Sequence, residues 1–286
     1  MTFLLRLFIY IVYKIESFGL GKIFRKMIYF ILADILCYRK KVIDANLAII
    51  LPNISLDELT IYKKKFYSHL ADLIVETLWC FRANPEELKP KVLLKNPEVI
   101  NQIFESGQNA TILLSHIGNW ELFCQWASLY DPRINIVILY TQIKNEKFNN
   151  HMLNLRQRFG AYLVSTKATL DLYRAQKIKN VCLNFFAVDQ NPGDPYNQHW
   201  LNFFGQSVPV ISGAEKFVKS QTQKAYFLYV TKGECYEFEL IELNYDSSIP
   251  YDLTEKQFLL LEKNILENPS LWLLSHNRFK YRKEYL

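Results

Sequence analysis

The segment 110-ATILLSHIGNWELF-123 decides the fold class. Ala110 to Ser115 (ATILLS) form a short apolar run, followed by His116. Gly118 permits a sharp bend, and from Trp120 the apolar residues recur at helical spacing. The order is therefore strand, turn, helix. Two more apolar, β-branched runs, Ile134 to Tyr140 (INIVILY) and Asn180 to Val188 (NVCLNFFAV), predict further strands, with helical patterns at about 145–159 and 167–178 between them. This alternation predicts an α/β fold with a mixed, at least partly parallel central sheet flanked by helices. Working outward, a long helix is expected over Leu56 to Phe81, with Asp57 and Glu58 at its favourable end and Asn84-Pro85 beyond its stop. Strands at 224–231 and 235–243, joined by Lys232-Gly233-Glu234, read as a hairpin at one sheet edge. A last helix at about 254–267 ends before Asn268-Pro269. Open α/β sheets bind ligands beyond the carboxyl ends of their strands. The two most polar strand ends, Ser115 to Glu121 and Asp189 to Asp194, are accordingly expected side by side.

With 286 residues, half of them apolar, the chain can bury a large core, which excludes disorder, collagen-like repeats and a small disulfide scaffold. Only 9 Gly and 10 Pro disfavour a turn-dense all-β architecture. Five scattered cysteines without C-x-x-C read as reduced core thiols, with no metal site expected. The net charge of +6 is not spread evenly. Arg6, Lys14, Lys22, Arg25, Lys26 and Arg39 to Lys41 face only Glu16 and Asp34 within residues 1–41, and the rest of the chain is balanced. Nucleic acid is therefore not an expected partner. The same basic segment holds the apolar stretches Phe3 to Tyr13 and Met27 to Tyr38, both short of the ~18–20 residues a spanning helix needs. No small-residue cleavage site follows the first, so a secretory signal peptide is not expected. Residues 1–41 read either as a membrane-associated helical segment lying in the interface, with Arg39, Lys40 and Lys41 near anionic headgroups, or as ordinary helices packed on the core. Residues 42–286 form the main domain.

Of the five histidines, only His116 directly follows an apolar strand and precedes a glycine turn. Glu121, five residues on, is too distant for a pair on one helix but reachable across a strand-to-helix turn. Pointing back at the imidazole, it would fix the tautomer and make His116 a general base. Spacing alone also allows a loop histidine beside a solvated glutamate. Cys124, three residues past Glu121 among apolar neighbours, reads as a core cysteine rather than a nucleophile.

The segment Leu114-Ser-His-Ile-Gly-Asn-Trp-Glu-Leu122 resembles the H-x4-[D/E] motif of glycerolipid-type acyltransferases, in the H-[FIL]-G-N-W-E form of the bacterial lipid A biosynthesis (lauroyl/myristoyl) acyltransferases. Tyr38-Arg-Lys-Lys-Val-Ile-Asp-Ala-Asn-Leu47, Phe66 to Glu76, Leu155-Arg-Gln-Arg-Phe-Gly160, Val188-Asp-Gln190, Phe203-Phe-Gly205 with Ser212-Gly213, Asn268-Pro-Ser-Leu-Trp272 and His276-Asn-Arg-Phe-Lys280 resemble further marks of that family, in order. The resemblance implies a glycerolipid acyltransferase-like fold with the acyltransferase domain in 42–286. It implies transfer of a fatty acyl chain from acyl carrier protein to a lipid A precursor hydroxyl, with no cofactor, on the cytoplasmic face of the inner membrane. It implies His116 as base, Glu121 as its dyad partner and Arg156 as stabiliser of the thioester oxyanion. Asn119, Asp189 and Gln190 would bind substrate. Arg278 would support the site or bind phosphate, or else form a structural ion pair. One departure stands out: the family usually has Tyr, then Arg or Lys, then Pro after the second strand, where this chain has Tyr140-Thr141-Gln142. An acceptor other than a lipid A precursor, such as a lysophospholipid or an amino-acid-linked lipid, is thus a second expectation, and a catalytically silent lipid-binding homologue a third.

Overall fold

The computed structural model describes residues 3–165 and 181–282. Its centre is a mixed sheet of seven strands: β1 (Val92–Leu94), β2 (Ala110–Leu114), β3 (Asn135–Tyr140), β4 (Tyr162–Ser165), β5 (Cys182–Ala187), β8 (Lys224–Lys232) and β9 (Tyr236–Glu242). They lie in the order β1-β9-β8-β2-β5-β3-β4. All neighbours are parallel except the β8–β9 hairpin. A separate hairpin joins β6 (His199–Phe203) to β7 (Gln206–Val210).

The apolar runs at 110, 134 and 180 are the buried strands β2, β3 and β5, and β2 pairs with β5 from Ala110–Leu183 to Leu114–Ala187. That register carries both polar strand ends to one edge of the sheet. The β8–β9 hairpin is not at the edge as expected. The three-residue β1 covers β9, while β8 pairs with β2; so short a strand has no periodicity to read. The helical pattern at 167–178 lies outside the described residues.

Among the described residues ten helices surround the sheet: α1 (Phe3–Ser17), α2 (Gly21–Phe30), α3 (Lys40–Ile50), α4 (Leu56–Cys80), α5 (Pro85–Leu88), α6 (Glu98–Ser106), α7 (Trp120–Tyr130), α8 (Glu146–Arg156), α9 (Gly213–Ser220) and α10 (Asp252–Glu267). In α4 the Ser55 side chain accepts from the Glu58 backbone N–H while the Glu58 carboxylate accepts from the Ser55 backbone, which satisfies two donors a helix start leaves open. Asn84 does the same for α5 with Glu87, Pro85 occupying the first helical position.

α2 runs on into a π-helical turn, Ile31–Ile35, and both α1 and α2 contact α4. Ile9 and Val12 are buried, and Arg25 bridges to Asp72 of α4 at 3.1 Å. The outward side stays apolar: Phe18 is 74% exposed, Ile23 68% and Ile35 61%. No described helix is long and apolar enough to cross a membrane.

Candidate active site

His116 stands at the end of β2, where Gly118 turns the chain with a φ of +62°. A Cβ at Gly118 would lie 2.8 Å from Val230 Cγ1 and 3.2 Å from Tyr236, so both conformation and space require glycine. The turn is clamped by the C-terminal segment. The Gly118 N–H donates to Leu271 O at 3.0 Å, the Leu273 N–H donates to His116 O at 2.9 Å, and Ile117 pairs with Trp272 in an antiparallel bridge.

Asp189, just past the end of the adjacent β5, meets the histidine twice. Its Oδ1 lies 2.6 Å from His116 Nδ1, and its Oδ2 accepts the His116 backbone N–H at 3.0 Å. The same Oδ2 accepts the Trp272 indole N–H at 2.9 Å. Asp189 is 2% exposed, and burial opposes its charge. The His116 imidazole beside it and the three hydrogen bonds outweigh burial and hold the carboxyl at about 2, so it is ionised at neutral pH. An ionised Asp189 accepts the Nδ1 proton and leaves Nε2 with its lone pair outward. Gln190 places its amide Nε2 3.2 Å from that nitrogen, and Trp120 sets its ring edge-on to the imidazole at 4.6 Å.

Glu121 does not turn back to His116. Its carboxylate takes both Nε (2.9 Å) and Nη2 of Arg156 at the end of α8, and accepts from the Trp120 indole at 3.2 Å. The physical reason is position. As the second residue of α7, Glu121 leans towards α8, while the side of the imidazole it was expected to fill is occupied by Asp189 from the neighbouring strand. Burial works against the Arg156 charge, but Glu121 more than offsets this and raises its pKa. The imidazole's carboxylate and the arginine's carboxylate are thus two different residues.

The other expected site residues separate into lining and frame. Gln190 is half-buried on the imidazole. Asn119 is fully buried: its Oδ1 caps α7 by accepting the Leu122 N–H at 3.0 Å, and its Nδ2 donates to Glu76 at 2.8 Å. It holds up the turn rather than lining a pocket, as Asp189 holds the histidine. Arg278 is also fully buried. Its guanidinium donates to Asn191 Oδ1 (3.0 Å) and Pro209 O (3.1 Å), between the rings of Phe203 and Phe258. Buried there, its pKa falls to about 10. Among the described residues it forms no ion pair, and it braces the loop that follows Gln190. Arg39 donates to Ser275 O at 2.9 Å, and Lys40 and Lys41 are exposed.

Two contributors were not singled out by pattern. Trp272 belongs to a quoted motif, but its bond to Asp189 spans 83 residues, a separation no spacing rule covers. His276 accepts from Asn191, and burial, its largest influence, lowers its pKa to about 4, so it is neutral at neutral pH. Cys124 is buried and its thiol pKa is raised by burial, as a core residue requires. Among the described residues no group of three or more His, Cys, Asp and Glu is placed to hold a metal ion.

A family model described as bacterial lipid A biosynthesis acyltransferase matches residues 2–281. No curated protein matches the chain.

Proposed function

This chain belongs to the bacterial lipid A biosynthesis acyltransferase family, and from that membership and the geometry at His116 we propose that it moves a fatty acyl chain from an acyl carrier protein thioester to a hydroxyl of a lipid A precursor. As a member of that family it is an O-acyltransferase with a lipid acceptor. The observation that carries the mechanism is the Asp189–His116 contact, which leaves Nε2 as the basic nitrogen.

In the proposed reaction the acceptor hydroxyl displaces the Gln190 amide from Nε2 and gives its proton to that nitrogen as its oxygen attacks the thioester carbon. Asp189 balances the imidazolium that forms. Arg156 has Nε and Nη2 engaged by Glu121 and presents Nη1 to the carbonyl oxygen as it becomes negative; a well-placed donor of this kind contributes about 3–4 kcal/mol. Collapse of the tetrahedral species expels the thiolate, which takes the proton from His116. The products are the ester and the free thiol, with no acyl-enzyme. Glu121 in this scheme is a positioning residue for Arg156.

Residues 1–41 serve as a foot on the anionic cytoplasmic leaflet of the inner membrane. The exposed Phe18, Ile23, Ile35 and Leu36 enter the acyl boundary, and Lys40 and Lys41 lie at headgroup level. Neutralising Arg39, Lys40 and Lys41 together should release the protein from anionic vesicles, and unchanged binding would reject the foot.

The experiment that tests the activity is a mass-spectrometric comparison of lipid A and total lipids from a strain lacking the gene. Loss of one acyl chain from lipid A, restored by the intact gene, is expected. Intact lipid A with a change confined to a lysophospholipid or amino-acid-linked lipid would instead favour the second acceptor class, to which Thr141 in place of a cation points.

A further inference from the structure

A groove of about 500 Å³ runs between α3 and the C-terminal segment, lined by Lys41, Val42, Ala45, Asn277, Phe279, Lys280 and Arg282. Among the described residues three cations line it and no carboxylate does. The nearest acid on α3, Asp44, is paired with Lys63 at 3.0 Å. The walls are tied together from beneath: Asn46, 1% exposed, donates to Leu274 O and His276 O, both at 2.8 Å, and Arg39 donates to Ser275 O.

What the groove adjoins on its two sides indicates its occupant. On one side, Asn277 O accepts from Asn191 Nδ2 at 2.7 Å, and Asn191 follows the Gln190 that covers His116 Nε2. On the other, α3 continues from the exposed apolar residues Ile35, Leu36 and Tyr38. A row of cations between an apolar surface and a catalytic base suits an amphiphile with a phosphate ester. Its acyl chains would lie on the apolar face, its phosphate among the lysines and the arginine, and its hydroxyl at the imidazole.

We propose that this groove is the phosphate subsite for the acceptor lipid, set by Lys41, Lys280 and Arg282. The proposal rests on the acyltransferase reading above and adds to it the place at which the acceptor's phosphate is read. It separates binding from chemistry, since none of the three cations is tied to His116.

The test uses the full-length protein, the double variant Lys280→Gln/Arg282→Gln, and neutral-detergent micelles carrying either phosphatidic acid or diacylglycerol as probe. Wild type is expected to bind the phosphatidic acid micelles at least tenfold more tightly, and the variant to lose most of that preference, the remainder coming from the basic segment 1–41. In turnover, phosphatidic acid should compete with the acceptor and not with the acyl thioester. The variant should raise KM for the acceptor about tenfold, with kcat and KM for the donor held. Equal binding of both micelles by wild type, or a preference the variant keeps in full, would overturn the subsite. A rise in KM for the donor would assign the groove to the carrier protein instead. Micelle binding without competition against the acceptor would make it a membrane contact only. If wild type transfers no acyl group at all, the acyltransferase mechanism fails, while the micelle arm still decides whether the groove binds phosphate.

Discussion

Asp189 serves three donors at once: the His116 ring, the His116 backbone and the Trp272 indole. Such a carboxylate fixes the tautomer, the ring plane and the backbone of the base together, and each donor contributes separately. Asp189→Asn keeps the shape but removes the counter-charge, and kcat should fall about 10²–10⁴-fold. Trp272→Phe removes a single hydrogen bond to a buried anion, a loss of about 1.5–3 kcal/mol, and should lower kcat roughly tenfold or more with KM for both substrates little changed. A KM effect of equal size, with kcat held, would make Trp272 a packing residue only. The expectation that Glu121 holds His116 followed from chain spacing. Spacing reported correctly that the residue sits in the first turn of α7, but not that a parallel neighbour brings Asp189 to the same nitrogen while α8 brings Arg156 to Glu121. Side-chain direction across three elements is a tertiary property, and local pattern carries no trace of it.

Among the elements, the strand-turn-helix from Ala110 to Tyr130 organises the site, and its weak point is the turn. At Gly118 an added methyl meets a left-handed φ and the Val230 side chain together, so Gly118→Ala should destabilise the fold by about 1–3 kcal/mol and displace His116 from Asp189. Thermal unfolding checks the first effect and kcat the second; an unshifted Tm with full activity would show that the turn relaxes freely. The three central strands were legible because a strand buried on both faces reads as an unbroken apolar run, as β2, β3 and β5 do. The long α4 was legible from its spacing and its Asn84-Pro85 stop. β1, three residues long, and the β6–β7 hairpin, which contains Pro209, had no such signature, and with β1 unseen the β8–β9 hairpin looked like an edge.

Over the whole molecule, the charge of +6 resolves into a balanced α/β body and a basic N-terminal segment, residues 1–41, with exposed apolar side chains. One contribution to acid stability lies inside the body. Burial, its largest influence, with Lys232 next, lowers His69 to about 4 against 6.5 in an unfolded chain. As pH falls from 6.5 to 4 the unfolded chain binds the proton first, so stability declines across that window by about 3 kcal/mol from this group. Chemical denaturation of His69→Gln between pH 7 and 4 should show a flatter dependence than wild type, and parallel curves would remove His69 from the account.

The central claim is acyl transfer with His116 as base, and the most direct measurement is product mass after incubating purified protein with acyl carrier protein thioester and a lipid A precursor. Wild type is predicted to give the acceptor with one added acyl chain and an equal amount of free carrier thiol, while His116→Ala, folded and membrane-bound, gives neither. Equal product from wild type and His116→Ala, or acyl chain retained covalently on the enzyme, would contradict it.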